Sequence, residues 1–177
     1  MSLISPPLTQ LQTARLSLRA PQPEDEQDIM AFYMSPRSKH VGGPYDRVGA
    51  WHRAAGFFGH WALRGHGKLI SVERATGARV GTVGVGRPEG WPERDLNWTI
   101  WSDAYEGRGY AFEATKALRD AVAKLYGWTG LVSYIEADNA RSIKLAERLG
   151  AVLDPQAPPP DPYPCLVYRH PKSEEPQ

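Results

Sequence analysis

At 177 residues the chain is long enough to bury about two-thirds of its unfolded surface as one domain, and an apolar share of 41% with six tryptophans supports a packed interior. A formal net charge of +1 gives no bulk electrostatic reason to expect nucleic acid or an anionic membrane as partner. No apolar run approaches the roughly 20 residues of a membrane span, the N-terminus lacks a signal-peptide pattern, and the single Cys165 excludes an intrachain disulfide, so a cytoplasmic address is expected.

Residues 1–12 read as a short polar arm, 13–170 as one domain and 171–177 as a flexible tail. Arg15-Leu-Ser-Leu-Arg19 alternates and reads as a strand. Pro21-Gln-Pro-Glu-Asp-Glu opens a helix, with proline and acids at its start and Ile29, Phe32 and Tyr33 on its buried side. From about Asp46 to Leu63, Val48, Trp51, Ala55, Phe58 and Ala62 fall near helical spacing; Gly49, Gly56 and Gly59 weaken that pattern and predict a broken or bent helix. Lys68–Glu73 and Arg79–Val85 are strands joined by the hairpin signal Ala75-Thr-Gly-Ala. A Gly/Pro loop from Arg87 to Arg94 leads to the strand Asp95–Trp101, and the short connections imply an antiparallel meander.

A helix follows, with Ala111, Ala114, Leu118, Val122 and Leu125 as its stripe. Next come the strand Leu131–Glu136 and a helix entered through Asp138-Asn139, with Ile143, Ala146 and Leu149 as its stripe and Gly150 as terminator. Pro155 to Pro164 is too proline-rich for regular structure, and Leu166-Val-Tyr-Arg adds a last edge strand. The β-α-β piece at 95–136 is parallel by the crossover argument. A sheet with antiparallel and parallel halves must splay where they meet, and a ligand can enter that gap.

The stretch from Trp98 to Ala114 carries the strongest functional signal. A strand ends in a turn with Gly107 and Gly109 and runs straight into a helix. The glycines let a ligand approach the backbone, and the helix start offers unpaired amides and a dipole that favour an anion. His52, His60 and His66 lack metal-ligand spacing, so no metal is expected. Cys165 has no histidine motif nearby and reads as a packed thiol. A dinucleotide-binding oxidoreductase fails on spacing, because no third glycine completes Gly107-x-Gly109.

Glu106-Gly-Arg-Gly-Tyr-Ala111, followed by Glu113-Ala114, resembles the acyl-CoA pyrophosphate loop of the GNAT acetyltransferase superfamily. Asp138-Asn-Ala-Arg-Ser-Ile-Lys-Leu-Ala-Glu-Arg-Leu-Gly150 is similar to that superfamily's second CoA-contacting helix. The Gly-Tyr-Ala-x-Glu-Ala form, the Asn-x-x-Ser pattern and the start Thr13-Ala-Arg-Leu-Ser-Leu-Arg19 resemble the ribosomal-protein N-terminal acetyltransferase branch, RimJ/RimL-like. The resemblance spans roughly residues 13–170. It implies an α/β (α+β) fold: a mixed, mostly antiparallel sheet of about six to seven strands, flanked by about four helices and splayed centrally to admit acyl-CoA.

The resemblance also implies roles. Glu106, Gly107, Arg108, Gly109, Tyr110 and Ala111 form the loop, with the amides of Arg108 to Ala111 on the pyrophosphate. Asn139 hydrogen-bonds the pantetheine arm, or is simply a helix cap, or both. Ile100 and Trp101 pair their backbone with that arm, and Arg108, Arg141 or Lys144 meets the adenosine phosphate. Two departures stand out. Glu106 sits where the loop usually opens with Gln or Arg, and Ala146 fills the position of a tyrosine general acid, leaving Ser142 as the nearest substitute. A homodimer is one form of assembly that the resemblance suggests.

Acetyl transfer from a thioester needs a neutral amine, oxyanion stabilisation and a leaving thiolate. An amide from the strand around Trp98 to Ile100 is the expected oxyanion contact. Among Glu93, Asp95 and Glu136, Asp95 opens the central strand and is the candidate base, a solvated strand-end carboxylate being the competing reading. An α-amine, with a pKa near about 7.8, deprotonates some hundreds of times more readily than a lysine near about 10.4. The expected substrates are therefore acetyl-CoA and a primary amine, either a protein N-terminus or a small molecule such as an antibiotic or polyamine. The alternative is a CoA-binding sensor or interaction protein with weak catalysis, which Glu106 and Ala146 keep open.

Overall fold

A computed structural model describes residues 8–172; residues 1–7 and 173–177, most of the expected arm and tail, lie outside the described residues. Among the described residues, eight strands form one sheet: β1 (Gln10–Gln12), β2 (Leu16–Arg19), β3 (Lys68–Glu73), β4 (Arg79–Gly86), β5 (Asp95–Ile100), β6 (Val132–Ile135), β7 (Val152–Leu153) and β8 (Leu166–Arg169). Their order across the sheet is β1-β2-β3-β4-β5-β6-β8-β7. Every neighbouring pair is antiparallel except β5 and β6, which are parallel. The mixed, mostly antiparallel sheet was expected, but β1 and β7 were not. β1 falls within the expected polar arm, pairing Leu11 with Leu18. β7 puts β8 inside the sheet rather than at its edge.

Four α-helices cover the two faces: α1 (Glu26–Met34), α2 (Arg47–Arg64), α3 (Tyr110–Tyr126) and α4 (Ala140–Arg148). On one face, Ile29, Phe32 and Tyr33 of α1 pack with Ala50, Ala54 and Phe57 of α2 over Ile70. On the other, Tyr110, Ala114, Leu118 and Val122 of α3 pack on Leu16, Leu18, Leu69, Val83 and Leu96. Trp98 packs with Ile135, Ala146 and Tyr168. Trp98 and Leu96 lie two residues apart on β5 and so share a face. α4 therefore sits beside α3, opposite α1 and α2.

The glycine-rich helix is not broken. α2 runs as one helix of 18 residues, opened by Asp46, whose carboxylate accepts from the Gly49 amide at 2.7 Å. Gly56 and Gly59 face open space, so their low helix propensity is offset by the packing of Ala50, Ala54 and Phe57 on the far side. Leu125, expected on the stripe of α3, is 45% exposed, while Tyr126 beside it packs on the core; Thr115 and Tyr110 take inward positions.

A charged anchor fixes the start of α1. Asp25 is fully buried and accepts from both terminal nitrogens of Arg19 at 2.6 and 2.8 Å, Arg79 Nε at 2.5 Å and the Gln22 amide at 2.8 Å. Burial pushes this carboxyl up, but Arg19, the Gln22 amide and Arg79 together hold it below the usual carboxylate range. The ties join β2, β4 and the entry to α1.

Candidate functional site

β5 and β6 pair at one position, Asp95 opposite Val132, and then separate. At that vertex the Ser133 hydroxyl donates to the Leu96 carbonyl at 2.5 Å, and His170 Nε2 lies 2.9 Å from the Ser133 hydroxyl oxygen. The Trp101 amide donates to Val80 on β4 at 3.0 Å. Backbone groups alternate along a strand, so those of Trp98 and Ile100 face the opening between β5 and β6. This corrects one expectation: Trp101 cannot offer its amide to a ligand, because β4 already accepts it. The free edge belongs to Trp98 and Ile100. The Ile100 carbonyl is in turn held by Arg37, at 3.1 Å from Nη2 and 3.3 Å from Nε.

The turn after β5 is built from local rules. Ser102 caps a short 3-10 turn, Asp103–Tyr105, and Gly107 and Gly109 follow with φ of 68° and 80°. Both lie in the left-handed region that favours glycine. Glu113 makes the first amide bond of α3, to the Gly109 carbonyl at 3.0 Å. The amides of Tyr110, Ala111 and Phe112 therefore have no partner within the helix and lie at its positive end, a setting that favours an anion. Tyr110 is a buried anchor rather than a ligand contact through its side chain. It is 2% exposed, and its hydroxyl donates to Glu73. Arg15 braces the turn by donating to the Arg108 carbonyl at 2.8 Å and pairing with Glu113 at 2.7 Å.

A cavity of about 680 Å3 adjoins this turn, lined by Arg15, Gly107, Arg108, Gly109, Lys116 and Arg148 among others. Arg148 lies over the Phe112 ring at 4.1 Å. Of the three cations expected near a nucleotide phosphate, Arg108 lines this cavity and pairs with Glu73 at 3.2 Å. Arg141 instead pairs with Glu106 at 2.6 Å. Arg15, Lys116 and Arg148 were missed; they are distant in sequence, and only the packing of α3 against β2 and α4 brings them together.

Glu106 is not a bare anion at a phosphate site. Arg37 donates to it, Arg141 joins from α4, and these guanidiniums hold its carboxyl below the usual range. Arg37 belongs to a second 3-10 turn, Pro36–Val41, which bridges both walls of the gap. It touches the β5 wall through Ile100, while Lys39 reaches Asp138 at 2.7 Å and His40 reaches Glu136 at 2.8 Å on the β6 wall.

Asp95 lies at the vertex and faces α1 and α2, since it alternates with Leu96. Burial pushes its carboxyl up to about 6, against the pull of Asn97 Nδ2 at 2.9 Å, the nearby Lys68 and the Tyr134 amide at 3.4 Å. Lys68, which the sequence did not single out, holds its ammonium 3.4 Å from the Tyr33 hydroxyl and 5.0 Å from the centre of the Phe57 ring. The other candidate carboxylates are engaged, Glu93 with Arg169 and Glu136 with His40. Cys165 fits the packed-thiol reading: burial, with Asp95 and Glu136 nearby, pushes it up to about 11.

Asn139 caps α4, accepting from the Ser142 amide at 3.2 Å. Ser142 is half-buried, one turn before the fully buried Ala146, which packs against Ile135 and Tyr168. His40, Glu136 and Asp138 are the one group among the described residues whose ligand atoms lie close enough together to hold a metal ion, and Lys39 already donates to Asp138. No helix among the described residues is long and apolar enough to cross a membrane.

Comparison with known proteins agrees with this geometry. The family model described as an acetyltransferase (GNAT) domain matches residues 15–152. The acetyltransferase from Agrobacterium tumefaciens C58 is similar at 40% identity, with a TM-score of 0.84 over 91% of this chain and 93% of that one. A GNAT-family structure from Bordetella pertussis shares 25% identity, with a TM-score of 0.75 over 91% of this chain and 98% of the other. The ribosomal-protein-S5-alanine acetyltransferase from Vibrio fischeri shares the fold, at 14% identity and a TM-score of 0.66 over 93% and 97% of the two chains. No curated protein matches the sequence significantly. The chain belongs to the GNAT acetyltransferase family and is an N-acetyltransferase whose acetyl donor is acetyl-CoA.

Proposed function

We propose that the protein transfers an acetyl group to a primary amine, a protein N-terminus or a small molecule, by direct attack of the amine on the thioester. The observation that carries this reading is the gap between β5 and β6, with a buried carboxylate at its vertex and unpaired helix amides at its rim. The amides of Tyr110 and Ala111, with that of Arg108, bind the pyrophosphate. The pantetheine arm runs along the free edge of Trp98 and Ile100 towards Asp95, passing Asn139.

The amine nitrogen attacks the thioester carbon, and the amide of Trp98 or Ile100 stabilises the oxyanion that forms. Asp95 takes the amine proton, directly or through water. The carbon–sulfur bond then breaks, and the thiolate is protonated by Ser142 or by solvent. A thiol with a pKa near about 8.5 leaves readily, so the lack of a tyrosine at Ala146 is tolerable. A carboxylate near 6 is a weak base, which suits an α-amine better than a lysine.

A thiol-release assay with acetyl-CoA tests the reading against N-terminal peptides, polyamines and aminoglycosides. We expect turnover with α-amine peptides or a weakly basic small amine. Tight CoA binding with no thiol release across the whole panel would overturn the catalytic reading and leave the sensor.

A further inference from the structure

At the mouth of the gap two guanidiniums converge on one carboxylate oxygen. Arg37 Nη2 and Arg141 Nη1 both donate to Glu106 Oε1, the second at 2.6 Å. The three residues come from three places. Arg37 lies on the turn at the face of α1 and α2, Arg141 on the first turn of α4 on the opposite face, and Glu106 just ahead of the open amides of α3. Arg37 Nη2 also donates to the Ile100 carbonyl, so a single nitrogen links the carboxylate to the free edge of β5.

A simple surface pair would not have this form. Arg141 is 80% exposed and would gain little from one carboxylate in water, but Arg37 and Glu106 are only 22% and 28% exposed. Asp103 takes a further donor of Arg37. Two cations gathered at the rim of an anion site are thus matched by two acids of the same loop.

We propose that Glu106 is a resident anion, holding Arg37 and Arg141 until the pyrophosphate of acyl-CoA competes for them. This rests on the reading that the α3 amides bind that pyrophosphate. Glu106 then sets the affinity of the site: it keeps the two arginines in place and lowers the net attraction for phosphate.

The test is calorimetric titration of the full chain with CoA at several salt concentrations. Glu106→Gln removes the charge and leaves a hydrogen-bonding side chain of the same shape. It is expected to bind CoA about three- to tenfold more tightly than wild type. The gain should shrink as salt rises, giving a steeper dependence of affinity on ionic strength. Arg141→Gln, at an exposed position, should weaken CoA binding, and in that background Glu106→Gln should give a smaller gain. Equal or weaker CoA binding by a folded Glu106→Gln protein overturns the proposal alone. So does a gain with an unchanged salt dependence, which would mean mere steric relief, and so does an Arg141→Gln protein that binds as wild type. Absence of CoA binding in wild type and variants alike overturns the site reading with it.

Discussion

Replacing Asp95 by asparagine should make the protein more stable and less active. The carboxyl is held at about 6 by burial, against the 3.8 of an aspartate in water, so its ionised form is disfavoured in the folded state. That rise corresponds to about 3 kcal/mol of stability lost when the group ionises. For a raised carboxyl the sign is fixed. The full stability is present below about pH 4, where folded and unfolded chains are both protonated, and it falls as pH rises through 6.

Asparagine carries no such penalty, although its amide nitrogen would face either Asn97 or the Tyr134 amide, both of which now donate to Asp95. Urea unfolding of both proteins at pH 4.5, 6 and 8 should therefore show a stability gap that widens with pH by about 2 kcal/mol in favour of the variant. Acetyl transfer should fall by about 10²–10⁴-fold, the range for loss of a general base. A gap that stays constant with pH refutes the buried-carboxylate argument. Undiminished turnover refutes Asp95 as base whatever the stability result.

Three further outcomes follow from the geometry. Asp25→Ala leaves Arg19 and Arg79 without their shared partner and should cost about 3 kcal/mol in urea unfolding at pH 7. Because this carboxyl is lowered, its stabilisation in wild type should fade as pH drops below the usual carboxylate range. Gly109→Ala forces a side chain into φ +80°, a strain of about 1–2 kcal/mol, while the added carbon meets only the end of Arg15 at 3.4 Å. Its KM for acetyl-CoA should rise as the amides tilt, and an unchanged KM would argue against the turn as the phosphate site. Ser142→Ala should lower kcat by tenfold or more, a modest share of the ~10²–10⁴ range for a general acid, with acetyl-CoA affinity kept. Unchanged turnover would make the hydroxyl purely structural.

Features set by a few neighbouring residues were readable in the sequence. The Gly107–Gly109 turn, the stripe of α3 and the Asn139 cap each follow from local backbone rules. What the sequence hid depends on distance or on parity. Arg37 meets Ile100 and Glu106 across more than sixty positions, and no periodicity announces that. Lys68 comes near Asp95 only because β3 and β5 flank β4. The assignment of Trp101 to the free edge was off by one residue, which turns a strand's backbone to the opposite side. β1 and β7, at three and two residues, are too short to carry an alternation signal.

The vertex beneath the gap makes the sheet two blades joined at a single hinge. Ser133, Leu96 and His170 clamp that hinge, so a slight repacking there is magnified at the rim, where the blades stand furthest apart. Burial, with Arg119 adding to it, pushes His170 down to about 4. His170 therefore carries no charge at neutral or mildly acid pH, and Asp95 is the group at the vertex whose charge changes there. Across that range the ionisation of Asp95, which the Tyr134 amide ties to the second blade, bears on the angle as well as on the proton transfer, while the imidazole beneath it stays neutral.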